Sequence, residues 1–143
     1  MMSSRAFANV LKSFVDEAAG AFSFLTDEFG LSGPDSQTVV MPAVAFVGSG
    51  VRYRIRLDTD DRIVLTQVEK DMEGVRLIAD LAHLVSAAGL GPANQVARNA
   101  QTLHNLQASL EAQAELLRQL HPIIASSEGA SLLAKAGARK WRN

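Results

Sequence analysis

The segment VRYRIRLD, residues 51–58, alternates apolar and charged side chains without interruption, and it restricts the fold more than any other segment. Because successive side chains in a β-strand point to opposite faces of a sheet, this alternation predicts a strand with one buried face and one polar face. The polar face carries Arg52, Arg54 and Arg56. We therefore expect a sheet with a row of arginines on one side.

Two neighbouring segments extend this predicted sheet. Residues 43–47 are apolar throughout and predict a strand that begins near Pro42, and residues 62–68 predict a third strand. The turn formers at residues 48–50 and 59–61 join the three strands. The sequence therefore predicts a three-stranded antiparallel meander.

Before the sheet, apolar side chains recur every three or four positions, which is the spacing of a helix. The pattern predicts one helix over residues 5–29, with Ser3 or Ser4 as its N-cap. Its apolar stripe consists of Phe7, Val10, Leu11, Phe14, Val15, Ala18, Phe22, Leu25 and Phe29. Gly30 is placed where a helix ends in a left-handed residue, and residues 32–36 predict a loop.

After the meander the spacing is again helical. Residues 74–88 predict a second helix that ends at Gly89. No helix breaker occurs between Pro92 and Pro122, which predicts a helix of about 29 residues and about 44 Å. A compact chain of this size has a diameter of about 37 Å. The helix should therefore protrude, bend or contact a partner.

A last short helix is expected at residues 130–140. The predicted fold is accordingly α+β: an N-terminal helix, a three-stranded antiparallel meander and a helical C-terminal half with one long helix. Residues 1–90 would form a helix–meander–helix core, and residues 91–143 would add the long helix and the short C-terminal helix to the same domain.

The long predicted helix has a heptad-like apolar row. Every seventh residue is apolar, and half of the matching d positions are apolar too, whereas Asn99 and Gln113 occupy the other half. The residues expected to mediate self-association are Val96, Leu103, Leu106, Leu110, Leu117 and Leu120. A two-fold dimer is the simplest closed arrangement. The alternative is a helical hairpin within one chain, against the helix that ends near Ala88.

Composition limits the partners and the chemistry. The chain has 14 basic and 15 acidic residues and a net charge of −1, so nucleic acid is not the expected partner. It contains no cysteine, which excludes disulfides, thiol catalysis and thiolate metal sites. No run of 18 apolar residues and no signal-peptide pattern occurs, so we expect a cytoplasmic protein without a membrane span.

Residues suited to catalysis are sparse. Asp27 and Glu28 are adjacent on a predicted helix and point about 100° apart, so they do not share a proton as a catalytic pair does. Asp80 and His83 supply two metal ligands at most. We therefore expect no catalytic, cofactor or metal site. An enzyme that uses Asp27, Glu28 or His83 is the rival interpretation.

Two basic segments are candidates for partner binding. Arg52, Arg54 and Arg56 can contact a phosphate or carboxylate surface, or they can form a solvated face whose heads pair with Asp58, Asp60 or Asp61. The C-terminal segment AKAGARKWRN surrounds the sole tryptophan with basic residues. It can contact an acidic protein, lipid or nucleic acid, or it can be a frayed terminus.

One segment carries a resemblance to known proteins. The pattern FxFLxxEFGL is formed by Phe22, Phe24, Leu25, Glu28, Phe29, Gly30 and Leu31. With the meander that follows, it resembles small uncharacterised bacterial proteins, several of which resemble toxin-immunity proteins, over about the first 70 residues. The resemblance implies a non-enzymatic protein that neutralises a bacterial toxin by direct binding.

The order helix–meander–helix is also similar to that of small secretion chaperones, which are dimeric binding modules. A chaperone-like or oligomerisation protein is therefore the alternative function.

Overall fold

Antiparallel strand pairing organises the chain. The computed structural model describes residues 4–37 and 41–142, and within them six strands lie side by side in chain order, each antiparallel to its neighbours. The strands are β1 Ser32–Gln37, β2 Ala43–Gly48, β3 Val51–Asp58, β4 Ile63–Met72, β5 Val75–Asp80 and β6 Arg139–Arg142. The class α+β is confirmed, but the predicted three-stranded meander is wrong.

The helices pack against one face of the sheet. They are α1 Ser4–Ala21, α2 Phe24–Asp27, α3 Leu81–Ala87, α4 Leu103–Ile124 and α5 Gly129–Lys135, with a short 3₁₀ turn at Ala93–Gln95. Buried side chains from all five helices and from the sheet form one hydrophobic core. In the described ranges no helix is long and apolar enough to cross a membrane.

The central hairpin is confirmed. β3 has the bounds that its alternation predicts, and its four apolar side chains are buried on the helix side. Ser49 and Gly50 connect it to β2 with φ angles of 54° and 76°. Two left-handed residues make a turn whose twist matches that of the paired strands.

The predicted loop at residues 32–36 is instead the edge strand β1, whose side chains are all exposed. Its composition gives no strand signal, because glycine and proline are depleted in strands. At Gly33 a side-chain Cβ would lie 2.7 Å from the backbone oxygen of Ala45, so glycine is what permits β1 to approach β2. Pro34 is tolerated because the strand lies at the edge.

The predicted helix at residues 74–88 is wrong in its first half. Residues 75–80 form β5, paired with β4 on one side and β6 on the other, and only residues 81–87 are helical. Ile78 interrupts the polar face of β5 between Arg76 and Asp80, so the alternation is imperfect and the sequence also fits a helical period; the pairing with neighbouring strands determines the structure. The expected stop is confirmed: Gly89 has φ 77°, and the amide of Leu90 donates to the Val85 oxygen.

The predicted last helix at residues 130–140 is also too long. α5 ends at Lys135, and Gly137 has φ 80°, which turns the chain into β6. Residues 139–142 of the basic C-terminal segment thus form a strand at the edge of the sheet.

The N-terminal helix breaks where one helix over residues 5–29 is predicted. A continuous helix would rotate Phe24 away from Phe22 by about 200°. The break between α1 and α2 lets both rings enter the core, with their centres 6.1 Å apart. Leu11, in contrast, is exposed. Of the two expected N-caps, Ser4 is the first residue of α1 and Ser3 lies outside the described residues.

The long helix is shorter than predicted. α4 begins at Leu103, not after Pro92, because polar side chains bind the preceding backbone. Asn99 accepts a hydrogen bond from the amide of Gln101, and Thr102 caps the helix by accepting from the amide of Asn105 at 3.1 Å. With 22 residues α4 spans about 33 Å, which is less than the diameter of about 37 Å expected for a compact chain of this size.

The residues expected to mediate self-association contribute to the core of the single chain. Leu106, Leu110, Leu117 and Leu120 are buried, and Val96 and Leu103 are partly buried and pack against the same core. The argument for dimerisation through this row, which was the excess length of the helix and its uncovered apolar side, therefore no longer holds. The oligomeric state stays a prediction.

A buried polar network fixes α4 on the sheet. The Thr66 hydroxyl donates to the Gln113 side-chain oxygen at 2.8 Å, and the Gln113 amide donates to the backbone oxygens of Val64 and Ala97. At the end of α4, the Lys70 ammonium donates to the Ile124 oxygen at 2.7 Å, where a cation complements the helix dipole. Burial lowers the pKa of Lys70.

We predict that Gln113→Ala lowers the free energy of unfolding by about 2 kcal/mol or more, because it leaves buried hydrogen-bonding groups unpaired. Urea unfolding measures this loss. The control is Gln119→Ala, at an exposed position on the same helix, with an expected change of about 0.5 kcal/mol or less. Equal losses in the two variants would contradict the role given to the network.

Candidate partner-binding face

One face of the sheet is turned away from the helices. Tyr53 and Thr66 point to the helix side, where they bond to side chains of α4. Alternate residues of the same strands therefore point outward. We call this outward surface the arginine face and define it by Arg52, Arg54, Arg56, Arg76, Arg139 and Trp141.

Strand register places these residues side by side. Arg52 on β3 lies opposite Glu69 on β4, Glu69 lies opposite Ile78 on β5, and Ile78 lies opposite Arg139 on β6. In the neighbouring row Arg76 lies opposite Trp141. Directly opposed residues share a face, so pairing alone carries Arg139 and Trp141 to the surface that holds Arg52.

A shallow depression of about 350 Å³ lies in the arginine face. Its lining residues are Arg52, Arg54, Gln67, Glu69, Arg76, Ile78, Arg139, Trp141 and Arg142. Among them five arginines stand against one glutamate, although the whole chain has a net charge of −1. The structure thus brings Arg52 and Arg54 together with arginines of the basic C-terminal segment, which are separate candidates in the sequence, on one positive surface.

The central arginine of this depression is held by acidic neighbours. Arg76 donates through Nε to Asp71 at 3.0 Å and pairs through Nη1 with Glu69 at 3.4 Å. Its hydrogen bond and charge contact with Asp71, and to a lesser degree Glu69, raise the pKa of Arg76. Glu69 is 4% exposed and also accepts from Gln67. Arg76 is therefore oriented by the fold.

The outer arginines are differently placed. Within residues 4–37 and 41–142, none of the ion pairs involves Arg52, Arg54 or Arg139. The expected alternative partner Asp58 instead accepts hydrogen bonds from the amides of Asp60 and Asp61 in the β3–β4 turn. The guanidinium groups of the outer arginines are thus left for other contacts.

Arg56 lies away from the depression. It is opposite Ala43 and Leu65 at the far end of the arginine face, and its Nη1 is 3.9 Å from the Met41 sulfur. The structure therefore brings Arg52 and Arg54 to the depression, and it does not bring Arg56 there.

The residues named for the enzyme interpretation lie apart. His83 borders a cavity of about 240 Å³ together with Asp80 and Arg98, whereas neither Asp27 nor Glu28 lines it. Glu28 instead pairs with Arg118 at 2.8 Å. In the part of the chain that the structure describes, no three His, Cys, Asp or Glu side chains are grouped for a metal ion.

A buried tyrosine–histidine pair has no signal in the sequence. The Tyr53 hydroxyl lies 2.6 Å from Nδ1 of His121, and the Phe29 ring stacks obliquely on the imidazole at 4.4 Å between centres. Burial raises the pKa of Tyr53 and lowers the pKa of His121. Both shifts favour the uncharged forms, and both side chains are closed off from solvent, so the pair is a structural contact of the core.

Comparison with protein-family models, with curated proteins and with solved structures gave no match for this chain. The resemblance to immunity-type proteins therefore stays a proposal. The functional argument depends on the geometry of the arginine face.

The buried histidine predicts a pH-dependent stability. Because the folded-state pKa of His121 lies below its ordinary value of 6.5, the unfolded chain takes up this proton first as the pH falls. The stabilisation is complete above about pH 6.5 and is lost as the pH falls below it towards the folded-state pKa. Urea unfolding between about pH 7.5 and pH 5 measures the slope.

We expect His121→Gln to flatten this pH dependence. His104→Gln, on the exposed side of the same helix, is the control and should keep the slope of the unmodified chain. An unchanged slope in His121→Gln would show that other groups cause the loss of stability.

Proposed function

We propose that this chain is a non-enzymatic protein-binding module that holds an acidic surface of a partner protein against the arginine face. The observation that supports it is the convergence of five arginines and Trp141 around one depression. By the resemblance in the N-terminal half, the partner is a bacterial toxin that binding neutralises. A client of a chaperone-like module is the alternative partner.

The residue types suit a protein interface. Guanidinium groups bind carboxylates through two parallel hydrogen bonds, which fixes orientation as well as strength. Arginine and tryptophan are enriched among the residues that dominate binding energy, and Trp141 is 59% exposed. Val47, also exposed, adds apolar area beside the charges, and the largely buried Ile78 lines the depression.

The same surface fits nucleic acid less well. Glu69 and Asp71 lie among the arginines and would repel a phosphate backbone. Trp141 is the one aromatic side chain among the residues that line the depression, whereas single-strand binders stack successive bases on several rings. An acidic protein surface can instead place its carboxylates between the acidic side chains of this face.

Charge also affects the rate of association. A positive patch on a chain of nearly zero net charge attracts an acidic partner only at short range, and salt screens it. Binding should therefore weaken as the salt concentration rises, mainly through a slower association rate.

We predict that the combined change Arg52→Ala, Arg54→Ala and Arg139→Ala weakens partner binding by about thirtyfold or more, which corresponds to about 2 kcal/mol. The partner is captured from the native host with the unmodified chain, identified by mass spectrometry and purified. Isothermal titration calorimetry then compares the variants.

The control carries the same loss of three positive charges at exposed positions outside the arginine face: Lys12→Ala, Arg98→Ala and Lys135→Ala. It should bind as the unmodified chain does. Equal affinities of the two triple variants would remove the arginine face from the interface. Arginine-dependent binding of single-stranded DNA or RNA, tighter than binding of the protein partner, would overturn the proposal in favour of nucleic acid.

A further inference from the structure

We infer that β6 accepts an added strand: an extended segment of the partner that alternates acidic and apolar side chains. The inference rests on the proposed function, because it specifies the form in which the acidic partner meets the arginine face. It follows from three features of the sheet edge.

The first feature is the free edge itself. β6 is the last strand in the order of the sheet, and it pairs along one side with β5 from Ile78 to Val75. Its four residues are all exposed. The backbone groups on the other side of an edge strand are a template for a further strand, and many domains bind extended peptides in this way.

The opposite edge is protected against strand addition. β1 contains Pro34, which has no backbone N–H to donate, and its register with β2 shifts between Ser32 and Asp35. Proline and bulges are devices that blunt a sheet edge. Strand addition is therefore favoured at β6.

The second feature is the charge on the outward side of β6. Arg139 and Trp141 belong to the arginine face, since they lie opposite Ile78 and Arg76. An added strand would place every second side chain on that face, directly beside Arg139. Opposite charges in such cross-strand positions stabilise the pairing, so these side chains are acidic.

The third feature is an apolar hollow on the helix side of β6. It has a volume of about 450 Å³ and is lined by Met72, Val75, Leu77, Ala130 and Ala134, with Glu73 and Lys140 at its border. Met72 is 41% exposed. The remaining side chains of an added strand would point to the helix side, next to Lys140 at the border of this hollow, and apolar ones would extend its apolar surface.

The same charges disfavour a second copy of this chain as the occupant. Pairing β6 with β6 would bring Arg139, Lys140 and Arg142 of two copies together, and like charges in opposed positions destabilise a sheet. The basic edge thus separates copies of the chain and selects an acidic strand.

The probe is a peptide of about seven residues in which glutamate and valine alternate, added to the ¹⁵N-labelled chain. We expect amide signals to shift at residues 139–142 and, more weakly, at their partners on β5, including Leu77 opposite Lys140. A peptide of the same composition with all glutamates before all valines is the control, and it should bind about tenfold more weakly because it cannot separate the two side-chain types by face.

Backbone methylation tests the strand geometry. Amides of alternate residues leave a strand on the same edge, so methylating every glutamate nitrogen blocks one edge of the peptide and methylating every valine nitrogen blocks the other. One methylated peptide should bind like the parent, and the other about tenfold more weakly because it loses main-chain hydrogen bonds to β6.

Three results would each overturn strand addition. They are equal affinities of the two methylated peptides, signal shifts confined to β1 or to the helices, and the absence of any shift at about millimolar peptide.

The experiments distinguish a failure of strand addition from a failure of the proposed function. If the arginine variants weaken the partner while the peptides do not bind β6, the arginine face stands and strand addition falls. If the peptides bind β6 but the arginine variants leave the partner's affinity unchanged, the proposed function falls.

Discussion

The pairing of β4 with β3 and β5 is the contact on which the rest of the structure depends. On its helix side, β4 presents Thr66 and Lys70, whose polar groups bind the middle and the end of α4. On its outward side it presents Glu69, which orients Arg76. A shift of one residue in its register would exchange these two sets, burying a carboxylate beneath the helix and releasing α4. Core and candidate site are thus fixed by the same strand.

The fold could be predicted from the sequence where one face of an element is charged. β3 was predicted to its last residue because charged and apolar side chains alternate along it, so only one period fits. In β5 the apolar Ile78 stands between Arg76 and Asp80 on the otherwise charged face, and the prediction of a helix was wrong because these six residues fit both periods. β1 and β6 are exposed, and exposed strands need no apolar residues at all. These two strands form because their backbones pair with other strands, and the local sequence pattern does not indicate such pairing.

The candidate site could be predicted in part for the same reason. The alternation of β3 places Arg52 and Arg54 on one face, but it says nothing about which strands lie next to β3. The sequence predicts that Arg76 lies in one helix and Arg139 in another. Both residues lie in strands instead, and strand pairing places them on the same face as Arg52 and Arg54. The prediction that the apolar row of the long helix mediates self-association lost its basis for a different reason. The apolar row of α4 is present as predicted. A row of leucines indicates only that this side of the helix is buried, and here it is buried in the core of the same chain.

The position of β6 in the chain gives the arginine face a property that its charges alone do not. β5 ends at Asp80 and β6 begins at Arg139, so the last strand joins the sheet only after residues 81–138 have crossed the helix side and returned. Contacts between such distant segments form late, because the intervening loop must be closed first. We therefore expect Arg139 and Trp141 to reach their places late, and until then the chain presents only the arginines of β3 and β5. If the arginine face is the interface that we propose, a chain whose last strand has not yet joined the sheet would lack Arg139 and Trp141 and would bind the partner weakly, so that binding would report completed folding.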